Sequence, residues 1–127
     1  MKKHVFAVFV AVWALAAGTA QAATYAWTNT AAGASGYWAN GTNWGQATHV
    51  FPIVADSAYL TNSIASGAYT NIFDYQPGLG GPLAALVISN NSAGQAWLII
   101  TNAPLSVNAF TLGNGGNLQI DNGGIVS

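Results

Sequence analysis

The chain has 127 residues, 52% of them apolar, 4% charged and none cysteine. Both lysines, Lys2 and Lys3, precede residue 22, and the rest carries only Asp56, Asp74 and Asp121 as charged side chains. A surface without cations cannot neutralise phosphates, so nucleic acid is excluded as a partner, and so is electrostatic attachment to an anionic membrane; without cysteine there is neither a disulfide nor a thiolate metal site.

The first segment reads as a removable leader. Lys2, Lys3 and His4 form a basic start, residues 5–17 are unbroken apolar sequence, and Ala20-Gln21-Ala22 offers small residues where a signal peptidase reads, predicting cleavage between Ala22 and Ala23. A membrane anchor needs about 20 apolar residues, more than residues 5–17 supply. Removing 22 of the 127 residues leaves 105, enough for one domain with one core.

Residues 23–82 are aromatic-rich, and the pattern predicts an N-terminal cap region followed by a surface loop over the Pro/Gly-rich residues 76–82. Asn40-Gly41 has the chemistry of a two-residue hairpin turn with Gly41 at positive φ. Such a hairpin would set Tyr37 against Trp44 and Trp38 against Asn43, leaving at least one indole free beside the amides of Asn40 and Asn43. Tyr37, Trp38, Asn43 and Trp44 are therefore the candidate glycan-binding residues, since aromatic faces flanked by amides match the C–H faces and hydroxyls of sugars. The competing reading is that these indoles fill the end of the core.

Residues 83–127 are aliphatic and alternate by twos: Leu86 with Ile88, Trp97 or Leu98 with Ile99 or Ile100, Leu105 with Val107, Phe110 with Leu112, Leu118 with Ile120. Fourteen glycines and twelve asparagines beyond the leader, with no Glu, Lys or Arg there, oppose helix and favour short strands with tight corners. Phe110-Thr111-Leu112-Gly113-Asn114-Gly115-Gly116 and Leu118-Gln119-Ile120-Asp121-Asn122-Gly123-Gly124 match at an offset of eight. The expected fold is all-β: a parallel β-helix, or solenoid, with an aromatic-rich N-terminal cap and Gly/Asn-rich repeats beginning at residues 83–127, the alternative being a β-sandwich or jelly roll. Stacked asparagines would add amide ladders.

At residues 112–126 the sequence resembles the Gly-rich β-strand repeats of autotransporter-type passenger proteins. The front is similar to the start of large exported bacterial proteins of that kind, with Tyr25-Ala26-Trp27-Thr28-Asn29, then Trp38 to Asn43-Trp44, then Pro52 and Asp56-Ser57-Ala58. The resemblance implies an exported β-solenoid at the cell surface or outer membrane, of which this chain is the N-terminal piece.

Catalytic chemistry is sparse. His49 with Asp56 and Ser57 could be imagined as a nucleophilic triad, yet no G-x-S-x-G elbow supports it. Asp56, Asp74 and Asp121 could supply a glycosidase pair only through long-range folding, and a polysaccharide lyase would want a Lys or Arg. Gly115-Gly116-Asn117-Leu118-Gln119-Ile120 fails the calcium β-roll pattern, so Asp121 and Asn122 read as a turn. The expectation is a non-enzymatic, adhesin-like extracellular scaffold without metal or cofactor, meeting glycans or other surface proteins and self-associating through an uncapped solenoid end. A carbohydrate-binding module is the alternative.

Overall fold

The computed structural model describes residues 21–74, 81–122 and 124–127. The leader through Ala20 and most of the expected loop over 76–82 lie outside them. The strands are β1 (Thr24–Ala26), β2 (Ser35–Tyr37), β3 (Ser57–Leu60), β4 (Ala68–Phe73), β5 (Ala85–Ile88), β6 (Gln95–Thr101), β7 (Pro104–Leu105), β8 (Phe110–Leu112), β9 (Gly116–Asp121) and β10 (Ile125–Val126). Among the described residues the one helical element is a 3-10 turn, Gly41–Trp44. The all-β expectation holds.

Two four-stranded sheets run in the orders β1-β3-β5-β8 and β2-β4-β6-β9, and β7 pairs with β10 in a third. Every pairing is parallel. Parallel neighbours need a crossover rather than a hairpin. Here the crossover itself carries a strand: between two neighbours of the first sheet the chain passes through one strand of the second.

Register then decides burial. In the first sheet Tyr25, Ala58, Leu86 and Phe110 lie side by side, as do Leu60, Ile88 and Leu112. In the second, Phe73 lies beside Ile100 and Ile120, and Gly36 beside Asn71, Leu98 and Leu118. Because strand side chains alternate, these columns point between the sheets, and Leu60, Ile88, Leu98 and Ile100 in them are wholly buried. Each contributes about 1.5–3 kcal/mol of burial. The ambiguous stretch at 97–100 resolves the same way, Leu98 and Ile100 facing in and Trp97 and Ile99 facing out. Phe110, Leu112 and Ile120 share the inward register but are 42%, 50% and 49% exposed, because no further strand is stacked on β8 and β9 among the described residues.

Two expectations need correction. Asn40-Gly41 closes no hairpin: Asn40 caps the 3-10 turn, its side chain accepting the Thr42 amide at 3.2 Å, and Gly45, at φ 66°, ends it. Gly41 has no positive φ; it is glycine because a Cβ would lie 1.8 Å from the Ala47 carbonyl oxygen. The offset of eight is not the stacking repeat either. Phe110 and Leu118 belong to consecutive strands in different sheets, whereas stacked neighbours such as Leu86 and Phe110 lie 24 residues apart.

Candidate functional site

The aromatic cluster forms at the start of the chain from β1, β2 and the 3-10 turn. Trp27 meets Trp44 edge-on at 5.1 Å, Trp44 meets Trp38 at 4.8 Å, and Trp38 meets Phe73 at 5.2 Å. These T-shaped contacts suit the ring quadrupoles. All three indole N–H groups are satisfied by backbone oxygens: Trp27 by Asn29 at 2.8 Å, Trp38 by Pro52 at 3.0 Å, Trp44 by Trp38 at 2.8 Å. Trp38 is wholly buried and Trp44 is 2% exposed, so the expectation of an exposed indole here is wrong. The hairpin argument failed because a 3-10 turn rolls Trp44 onto Trp38 instead of setting it across from Tyr37.

Asn43 is equally committed to structure. Its amide nitrogen donates to the Tyr37 carbonyl at 3.0 Å and its oxygen accepts from Asn29 at 3.1 Å, tying the turn to β2 and to the end of β1. Of the four candidates only Tyr37 faces solvent. It stands on the outer face of the second sheet, in one row with Ile72, Ile99 and Gln119. The adjacent row holds Ser35, Thr70, Trp97 and Asn117. Trp97, partly buried there with its indole N–H on the Gln95 side chain at 3.0 Å, is the surface indole that the alternation left undecided. Strand spacing and rise place the Tyr37 and Trp97 Cα atoms about 12 Å apart.

A column of asparagines runs along the corner that follows the first sheet. Asn62, Asn90 and Asn114 each stand two residues beyond the aligned Leu60, Ile88 and Leu112, and Asn29 stands two beyond Trp27, whose amide donates to Tyr59. The amides reach the preceding pass of the chain: Asn62 donates to the Trp27 carbonyl and Asn90 to that of Ile64 at 3.4 Å, while the Asn90 oxygen accepts the Ser92 amide at 2.9 Å. Each thereby satisfies corner backbone that no sheet can pair.

The triad does not assemble. His49 is exposed, and Asp56, 5% exposed, spends one oxygen on the Ala23 amide at 2.7 Å and the other on the Ile53 amide at 2.9 Å. Both partners are backbone donors, Ala23 just before β1 and Ile53 in the loop before β3. Burial, and secondarily the Asp56 charge, raise the pKa of neighbouring Tyr25. Asp121 lies on the outer face of β9 and accepts from Gln119. No group of three or more metal-ligating side chains is gathered among the described residues, and no described helix is long and apolar enough to cross a membrane.

Two polar groups sit unpaired in the core of β4. Asn71 is wholly buried with neither amide atom bonded, and the Tyr69 hydroxyl, near the Asn62 backbone, forms no hydrogen bond of normal geometry. Burial pushes the Tyr69 phenol up to about 12. Comparison of the chain with protein-family models, with curated proteins and with solved structures finds no match to any of the three.

Proposed function

We propose that this chain is an exported, non-enzymatic scaffold, a parallel β-solenoid whose first turn is closed by the Trp27–Trp38–Trp44 cluster, of the kind met in autotransporter-type passenger proteins. The observation that carries the reading is the alternation of the chain between two wholly parallel sheets in matched register, since stacked parallel coils bury one continuous core without hairpins. The asparagine column supports it, since Asn62 and Asn90 supply corner hydrogen bonds from one pass to the one before. The glycines and the scarcity of charge suit a surface that works by shape. Phe110, Leu112 and Ile120, exposed at the edges of β8 and β9 among the described residues, favour self-association. Expression with its own leader in a secreting bacterium tests the reading: the protein accumulates outside the cytoplasm, begins at Ala23 and sediments as concentration-dependent oligomers. Cytoplasmic retention with Met1 intact contradicts it.

A glycan-binding role is the second reading, favoured by the pairing of Tyr37 and Trp97 on one outer sheet face. Flat apolar area rimmed by the amides of Asn117 and Gln119, without cations, suits a neutral extended sugar chain rather than an acidic one. Since Trp27, Trp38 and Trp44 are buried, Trp97 alone would report by fluorescence in a chain lacking the leader. Titration with cellohexaose gives a saturable fluorescence change that Tyr37→Ala abolishes, and Trp97→Phe, which removes the reporter, abolishes the binding heat in a calorimetric titration. An unchanged spectrum removes this reading and leaves the scaffold standing.

A further inference from the structure

Asp56 is a buried carboxylate in a chain that, beyond Lys3, has no lysine or arginine to pair with it. Burying a charge is costly unless it is hydrogen-bonded or paired. One of its two partners is the backbone nitrogen of Ala23, at 2.7 Å. Ala23 is also the residue at which the Ala20-Gln21-Ala22 pattern places cleavage. Hydrolysis of the Ala22–Ala23 amide by a signal peptidase adds one water, leaving a carboxylate on Ala22 of the released leader and an α-ammonium on Ala23.

We propose that Asp56 is the receptor site for the α-ammonium of Ala23 created by leader removal, so that processing converts an amide-to-carboxylate hydrogen bond into an ion pair that locks β1 onto β3. The proposal rests on the export reading. Its geometry is set from both sides of the residue: the Ala23 carbonyl accepts the Ser57 amide at 2.8 Å, holding Ala23 in register, while its nitrogen points at Asp56. Ala23 is only partly buried, so water reaches the ammonium protons that Asp56 does not take. Ile53 holds the other carboxylate oxygen, fixing its orientation. Tyr25 is the other titratable group beside Asp56 and is neutral at physiological pH. Cleavage one residue earlier or later would leave the ammonium out of register with the carboxylate. The pairing therefore gives the cleavage position a structural consequence.

The processed chain has a single primary amine, because both lysines leave with the leader. An amine-acylating reagent consequently reads this site alone. The carboxylate favours the charged form, and each pKa unit gained cuts the reactive neutral fraction about tenfold. Stability from the pair is full below the ordinary α-amino value of about 8 and is lost as pH rises through the raised one.

The test uses the exported product. Intact mass first locates the N-terminus; acetylation by an N-hydroxysuccinimide ester at pH 7.5 is then followed by mass spectrometry for the folded chain, for the chain in urea, and for Asp56→Asn. We expect the folded chain to react at least about tenfold more slowly than the same chain in urea, and Asp56→Asn, if folded, to react like the unfolded chain. Should the variant not fold, the folded-to-urea ratio of the parent and its rise in rate between pH 7 and pH 9.5 decide alone. An exported product that begins anywhere but Ala23 overturns the pairing and leaves the export reading standing, whereas an uncleaved chain retained in the cytoplasm overturns both. An N-terminus at Ala23 that reacts equally fast folded and unfolded overturns the pairing only.

Discussion

Gly41→Ala and Gly33→Ala separate two reasons for glycine. Gly41 lacks positive φ but has no room: its Cβ would stand 1.8 Å from the Ala47 oxygen and 2.6 Å from the Val50 oxygen, both backbone atoms. Relief requires the 47–50 loop to retreat by more than about 1 Å, since Cβ contacts under 3.0 Å do not occur. That movement strains or breaks the bonds from Gly41 to the Thr48 oxygen and from Gln46 to the Gly41 oxygen, each 2.9 Å. Two hydrogen bonds at about 1 kcal/mol apiece, plus about 1–3 kcal/mol of overpacking, give a loss of about 3–5 kcal/mol. For a domain of this size that lowers Tm by about 12 °C or more. Gly33, at φ 79° with nothing within 4 Å of a Cβ, costs only the left-handed backbone strain, about 1 kcal/mol. Thermal melts followed by near-UV circular dichroism, which reports the packing of Trp38 on Trp44, give both values. If Gly41→Ala melts no lower than Gly33→Ala, the account of the loop is wrong.

Asn71→Leu should raise Tm, because it replaces a buried amide with no hydrogen bond, a burden of about 1–3 kcal/mol, by an apolar side chain matching Leu98 in the next strand; a lower Tm would show that the amide is satisfied after all. The phenol of Tyr69 is held up near 12 by burial, whereas the unfolded chain ionises it near 10. Its contribution is therefore intact below pH 10 and disappears as pH rises towards 12. Alkaline melts of Tyr69→Phe should decline less steeply over that window than those of the parent, and parallel curves would refute the assignment.

The alternation of Leu86 with Ile88 was enough to read β5 correctly, because both neighbours of each leucine or isoleucine differ from it in burial. β4 escaped because Asn71 sits where the pattern wants a hydrophobe, between inward Tyr69 and Phe73. The signal that could have found it is the pair of aromatics four residues apart, Tyr69 and Phe73, which fall on one face of a strand. Asn40-Gly41 misled for a different reason: Asn is as good a helix cap as a turn residue, and only the later Gly45 marks the 3-10 turn's end. The asparagine column was hidden by uneven connections, since Asn29, Asn62, Asn90 and Asn114 are 33, 28 and 24 residues apart. No fixed period in the sequence reveals them, and the strand register alone brings them together. The surface role of Trp97 was undecidable from a run of four apolar residues in which either pair could face in. Burial of Trp38 and Trp44 followed from local geometry that no spacing rule encodes.

The central claim is that strands stack on partners one pass away and never on their neighbours in sequence. Backbone nuclear Overhauser contacts across β5 test it most directly. The account predicts inter-strand contacts from Leu86 to both Ala58 and Phe110, in parallel order. Antiparallel contacts joining β8 to β9, as in a hairpin-built sandwich, would contradict it.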